Sequence, residues 1–199
     1  MQTVAERILN YAQALPEGTL IGAKEVLHLG SRAAVDQALK RLHERSELMR
    51  LAHGLYALPV KTRFGQRAPA AEKVIEALAS TRAETIVPHG AAAANKLGLT
   101  TQVPAKLVYL TSGPDRQFQL GAQTVEMRHA PHWMLLPIDS IAGQAIRALA
   151  WLGEREAGEA LKVLKRKLPA NTLQDLVALR RAMPPWMSKS VGQSLLNHG

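Results

Sequence analysis

Between residues 22 and 58 the hydrophobic period changes from helical to alternating without a break, and this change limits the chain's folding options more than any other feature. Val35, Leu39 and Leu42 recur at helical spacing, so residues 31–45 predict an amphipathic helix with one inward stripe. Arg32, Asp36, Gln37, Lys40 and Arg41 fall largely outside that stripe. Ser31 suits the N-cap, because its hydroxyl oxygen accepts from an otherwise unpaired first-turn amide, and Gly30 suits the bend before it. Upstream, Val26 and Leu27 mark a short supporting helix over 23–29. Val4, Ile8, Leu9, Ala12 and Leu15 mark a first helix that Pro16 and Gly18 end. After Arg45, the residues Leu48, Met49, Leu51, Leu55, Tyr56 and Leu58 surround Arg50, His53 and Gly54, the pattern of two short strands joined at a turn. Three helices followed by a hairpin predict a winged helix-turn-helix.

That arrangement makes duplex DNA the first partner to consider. A helix in the major groove needs side chains that reach base edges, and Arg32, Gln37 and Arg41 have the chemistry to do so. Ser31, Lys40, Arg50, His53, Lys61 and Arg63 are the candidates for holding phosphates, which fixes position without reading sequence. The competing explanation, that these charges are only the solvated face of an amphipathic helix, is weakened by the adjoining hairpin and by composition. Lys and Arg number 25 against 16 Asp and Glu, a formal net charge of +9 with a sequence pI of about 10.2. Residues 1–67 carry ten basic and six acidic side chains, residues 68–140 six of each, and residues 141–199 nine and four. The C-terminal excess, Lys162, Lys165, Arg166, Lys167, Arg180 and Arg181, is either solvated helix surface or a second DNA-facing patch.

The chain has no cysteine, which excludes disulfides, thiol catalysis and Cys-based zinc modules. No apolar run approaches the roughly 20 residues of a membrane span, and the N-terminal segment has no signal-peptide core, so a soluble, cytoplasmic protein is expected.

Gly65 and Pro69 interrupt the apolar periodicity over 61–69, which predicts a basic connector. Beyond it, helices are expected over 70–80 and 89–97. Strands are expected over 84–88, 106–111, 116–120 and 123–129, and further helices over 140–152, 154–168 and 172–183. The expected fold is therefore α+β: a winged helix-turn-helix over 1–60, the connector, and a mixed α/β domain over 70–199 that ends in helices.

Arranged chemistry is sparse. His129 and His132 lack a carboxylate pair at ligand spacing, so no metal site or cofactor is expected. Ser112, Gly113 and Asp115 form a turn without the Gly-x-Ser-x-Gly elbow of a hydrolase, and no phosphate-cradling glycine motif occurs. The few aromatics, among them Trp133, Trp151 and Trp186, do not form the interleaved pattern that stacks unpaired bases. Trp186 is expected to pack rather than to bind. No enzymatic activity is expected.

Three segments carry a resemblance. The strings HGLYALP at 53–59, TRFGQRAPA at 62–70 and PHGAAAANKLGLTTQVPAKLVYLTSGPDR at 88–116 resemble the wing, interdomain connector and central block of AbiEi-like antitoxins. The resemblance covers most of residues 3–140 and is looser over the C-terminal helices. It implies a type IV toxin–antitoxin role. Such a protein represses its own operon at promoter inverted repeats, as a monomer in solution or a cooperative pair on DNA. It also opposes a nucleotidyltransferase-like toxin without needing to touch it. The alternative is a protein-interaction module that binds a toxin directly, with the winged helix mainly structural.

Overall fold

A computed structural model describes residues 2–196, and the fold is α+β. By internal contacts the chain forms two compact units, Met1–Glu84 with Arg116–Glu126, and Thr85–Asp115 with Met127–Gly199.

In the first unit, α1 (Val4–Gln13) starts with a capping box: Thr3 Oγ1 accepts from the Glu6 amide at 3.2 Å, and Glu6 Oε2 accepts from the Thr3 amide at 2.7 Å. Strand β1 (Leu20–Gly22) leads to the expected short helix, which is a 3-10 turn over Lys24–Leu29. Seven residues between Gly22 and Gly30 leave little room for an α-helix, and Glu25 turns back to accept from the Gly22 amide at 3.0 Å. Then comes α2 (Arg32–Glu44), capped by Ser31, whose Oγ accepts from the Ala34 amide at 3.4 Å. It ends where Ser46 takes a positive φ and the Glu47 and Leu48 amides donate back to Leu42 O. Strands β2 (Met49–Ala52) and β3 (Leu55–Ala57) form a hairpin turned at Gly54, whose φ of +68° suits glycine. With β1 they form an antiparallel sheet in the order β1-β3-β2, pairing Ile21 with Tyr56 and Met49 with Ala57. Ile8, Val26, Val35, Leu39, Leu42 and Leu48 fill one core between sheet and helices.

Residues 60–67 differ from the expected connector. They form a second antiparallel hairpin, β4 (Val60–Thr62) with β5 (Gly65–Arg67). Residues 61–67 are all exposed, so neither face needs the apolar alternation that betrays a strand in sequence. Helix α3 (Ala71–Arg82) follows in the same unit and contacts β1. Strand β6 (Ile86–Pro88) opens the second unit, and α4 (Gly90–Lys96) follows it. Next comes β7 (Leu107–Thr111), antiparallel to β6. Strands β8 (Arg116–Leu120) and β9 (Gln123–His129) turn at Gly121, and the sheet order is β6-β7-β9-β8.

The second unit is otherwise helical: α5 (His132–Leu135), α6 (Ile141–Leu152), α7 (Glu154–Lys167), α8 (Ala170–Ala178) and α9 (Pro185–Leu195), with a 3-10 turn over Leu179–Ala182. The alanine run of α4 serves close packing. A Cβ on Gly90 would lie 2.2 Å from Arg147 O, and Ala93 and Ala94 cluster with Ala148 of α6. Trp186 packs against the core of Ile146, Leu149, Leu161, Leu164 and Leu176.

Candidate nucleic-acid interface

Burial of Val35, Ala38, Leu39 and Leu42 sets the roll of α2 and so decides which side chains face outward. Arg32, Gln37, Lys40 and Arg41 are all exposed. They do not share one surface. Arg32, Lys40 and His43 of α2 line a cleft of about 800 Å³ with Arg50 and His53 of the β2–β3 hairpin and Lys24, and the carboxylates of Glu25, Asp36 and Glu44 line it too. Gln37 and Arg41 line the opposite flank, a groove of about 460 Å³ shared with α1, Glu6 and Arg45. Ser31 sits at the helix start with its oxygen already used as the cap. Lys61 and Arg63 lie on the second hairpin, and Lys61 borders a separate groove with Glu17 and Glu47.

The cations of α2 are already engaged within the helix. Arg32 Nε donates to Asp36 Oδ2 at 2.9 Å, Lys40 Nζ lies 3.7 Å from Glu44 Oε1, and Arg41 Nη2 donates to Gln37 Oε1 at 3.4 Å. Each is an i,i+4 pair, which steadies the side chains at little energetic gain because both partners are wet. Any polyanion meeting this face must compete with Asp36 and Glu44. In the hairpin, Arg50 Nε donates to Ala52 O at 3.4 Å and Nη2 lies 3.2 Å from His53 Nδ1. Since a guanidinium only donates, His53 Nδ1 accepts, which leaves its other ring nitrogen as the outward N–H. His43 completes the cleft floor, anchored through Nδ1–H to Leu48 O at 3.3 Å.

Some participants were missed in sequence. Asp36 and Glu44 were legible as partners by their spacing four residues from Arg32 and Lys40. Glu17 had no such signal. It accepts from Arg67 Nη1 at 3.2 Å, the Ala70 amide at 3.1 Å and Lys73 Nζ at 2.9 Å, tying the base of the second hairpin to α3. Those donors, Lys73 foremost, then Ala70 and Arg67, hold the Glu17 carboxyl down at about 2. At the hairpin tip Phe64 is 85% exposed, with the Arg63 guanidinium 4.7 Å from its ring centre.

Elsewhere the charges have structural work. Lys167 donates to Leu97 O and Gly98 O at the end of α4, and Lys165 donates to Ser194 O. Lys162 pairs with Glu159 at 2.7 Å. His129 approaches Gly113 O, and among the described residues no group of three or more His, Asp or Glu could hold a metal ion. No helix among them is long and apolar enough to cross a membrane.

These features define an α+β protein with a helix-and-hairpin face of mixed charge. A family model described as a family of unknown function, DUF6088, matches residues 7–173, and the chain belongs to that family. No curated protein matches it. The chain is also similar in fold to the crystal structure of the RV2827C protein from Mycobacterium tuberculosis. The two share 16% identity over 98% of this chain and 77% of that one, with a TM-score of 0.56.

Proposed function

We propose that this chain is a sequence-specific repressor that binds duplex DNA at its own promoter, and that it is an AbiEi-like antitoxin of a type IV toxin–antitoxin system. In this reading α1, the 3-10 turn, α2 and the β1-β3-β2 sheet form a winged helix-turn-helix, with α2 in the major groove and the β2–β3 hairpin as the wing. The observation that carries it is the shared cleft: Arg32 and Lys40 from the helix and Arg50 and His53 from the hairpin face one space. Arg32 reads bases from the cleft side of α2, and Gln37 and Arg41 read them from its opposite flank. Ser31, Lys40, Arg50, His53, Lys61 and Arg63 hold the backbone. The antitoxin role, against a nucleotidyltransferase-like toxin, is supported by the three segments at 53–59, 62–70 and 88–116. No catalytic step is assigned.

The test is a mobility-shift titration on inverted repeats upstream of the chain's own coding sequence. Arg32→Ala, Gln37→Ala and Arg41→Ala should each cost about 1–3 kcal/mol on the repeats and relax specificity, whereas Lys40→Ala or Arg50→Ala should weaken all sequences and reduce the salt slope by about one unit. Unchanged affinity in both Arg32→Ala and Arg41→Ala would overturn the base assignment. Restored growth of cells expressing the neighbouring toxin tests the second role.

One feature favours direct toxin binding as a second reading: Leu136, Ile138 and Ile141 are 37%, 42% and 43% exposed within six residues. Co-purification of the toxin with the full chain, lost in Ile138→Glu/Ile141→Glu, would establish it.

A further inference from the structure

We infer that the β4–β5 hairpin is a second DNA-binding arm, with Lys61 and Arg63 on the phosphates beside the half-site and the Phe64 ring wedged into the minor groove. The inference rests on the reading of α2 and its hairpin as a duplex-DNA surface, and it extends the footprint beyond that cleft.

Three observations carry it. The first is the way Phe64 is presented. Of the two phenylalanines in the chain, Phe118 is 8% exposed and Phe64 is 85% exposed. Turn positions ordinarily take Asn, Asp, Ser or Gly, so a large apolar ring at this tip is not something the turn itself requires. The tip is also ordered: Thr62 Oγ1 donates to Gly65 O at 2.9 Å and accepts from the Phe64 amide at 3.2 Å, while Gly65 takes a φ of +113° that glycine tolerates. Arg67, clamped by Glu17 and by Ala68 O, fixes the base.

The second is charge. Residues 60–67 contain Lys61, Arg63 and Arg67 and no carboxylate. Arg63 stacks on Phe64, so cation and ring are offered together, the pairing that suits a phosphate-lined groove with base edges at its floor. The third is continuity. His43 and Arg50, which line the α2 cleft, also line a neighbouring groove of about 350 Å³ with Gln66, Arg67 and Gln119, and no carboxylate lines it. A polyanion leaving the cleft over Arg50 therefore meets the base of the second hairpin. From there three residues of strand rise about 10 Å to the tip, enough to reach the floor of a minor groove about 7.5 Å deep.

The test uses the full chain and a 40-base-pair duplex from its own upstream region, labelled at both ends, followed by anisotropy for affinity and energy transfer for bending. Phe64→Ala should weaken binding about tenfold and reduce the bend, while single-base discrimination in the half-site stays as in the parent. Lys61→Gln/Arg63→Gln should lower the salt slope by about two units. Circular dichroism should show unchanged folding, since all three side chains are exposed. If the parent binds the duplex and Phe64→Ala matches it in affinity and bend, the arm is refuted while the α2 reading stands. A parent that binds no duplex removes both. Loss of binding to phosphatidylglycerol vesicles in Phe64→Ala, with DNA binding unaltered, would assign the hairpin to a lipid surface and refute the arm.

Discussion

Replacing Asp36 by alanine should tighten DNA binding, although the residue lies on the face proposed to meet DNA. Asp36 holds Arg32 at 2.9 Å, with the two side chains 52% and 63% exposed. For a pair this wet, the i,i+4 bond is worth about 0.3–0.5 kcal/mol, which is what Arg32 must give up to turn toward a base or phosphate. The carboxylate also repels the backbone. At about 7 Å in water the Coulomb term is about 0.6 kcal/mol per phosphate, cut to roughly 0.3 by a Debye length of about 8 Å at physiological salt. Together these give about 0.5–1 kcal/mol, a twofold to fivefold gain in affinity that shrinks as salt rises. Folding should not suffer, because alanine is the better helix former and replaces no buried group. Anisotropy titrations at 50, 100 and 200 mM salt on the repeat-bearing duplex and a scrambled one would read this, with Arg32→Ala and the double variant completing a cycle. About half of the gain should vanish when Arg32 is already gone, the remainder being the removed repulsion. Weaker or unchanged binding to both duplexes in Asp36→Ala would refute the placement of this flank of α2 against DNA.

Three further outcomes concern the scaffold. Gly90→Ala should destabilise the second unit by about 1–3 kcal/mol in urea unfolding, because the new Cβ would fall 2.2 Å from Arg147 O and 2.6 Å from Trp151 Cβ, forcing α4 off α6. His89, whose Nδ1 caps α4 by accepting from the Ala91 amide at 3.2 Å, is pushed below the ordinary histidine value by burial and then by Arg128. Its contribution is thus complete above the ordinary value of about 6.5 and lost as pH falls toward the lowered one, so unfolding free energy should decline on acidification below about 6.5 and His89→Asn should flatten that decline. Glu17, lowered to about 2, contributes above the ordinary carboxylate range and loses its contribution as pH falls through that value. Glu17→Gln should remove this acid sensitivity and raise amide exchange at Arg67 and Ala70, and unchanged exchange there would remove Glu17 as the anchor of the second hairpin.

The helices whose apolar stripe faces a local core could be read directly. Val35, Leu39 and Leu42 predict α2, Ser31 predicts its start, and the KLVYLT alternation predicts β7. Helix α9 lies beyond the last helix expected from sequence, because Pro184 and Pro185 read as a break, whereas Pro185 occupies the first helical turn, where proline is tolerated, and Met187 and Val191 form the buried face. The second hairpin was hidden for the opposite reason: exposed on both sides, it carries no burial pattern at all. Within the site, the composition of α2's outer face was readable, and so were its ion pairs by spacing. The separation of Arg32 from Arg41 follows from their spacing, about half a turn apart on the helical wheel, but what each of them faces was not legible. The neighbours of each flank depend on which side of α2 the β2–β3 hairpin takes and which α1 takes, and that is decided by long-range pairing between β1 and β3 rather than by any run of neighbouring residues.

The return of Arg116–Glu126 to the first unit bears on how the chain is made. Strand β2 is the edge of its three-stranded sheet, and β8 is among the elements it contacts. On the ribosome the N-terminal elements therefore emerge long before their last partner, and the segment 85–115 must be synthesised before β8 arrives. Until then the part of β2 that β8 contacts stays uncovered, the kind of surface that nascent chains bury or have shielded for them. A truncation after residue 84 freezes that unfinished stage, because it removes β8 from the first unit together with the whole second unit.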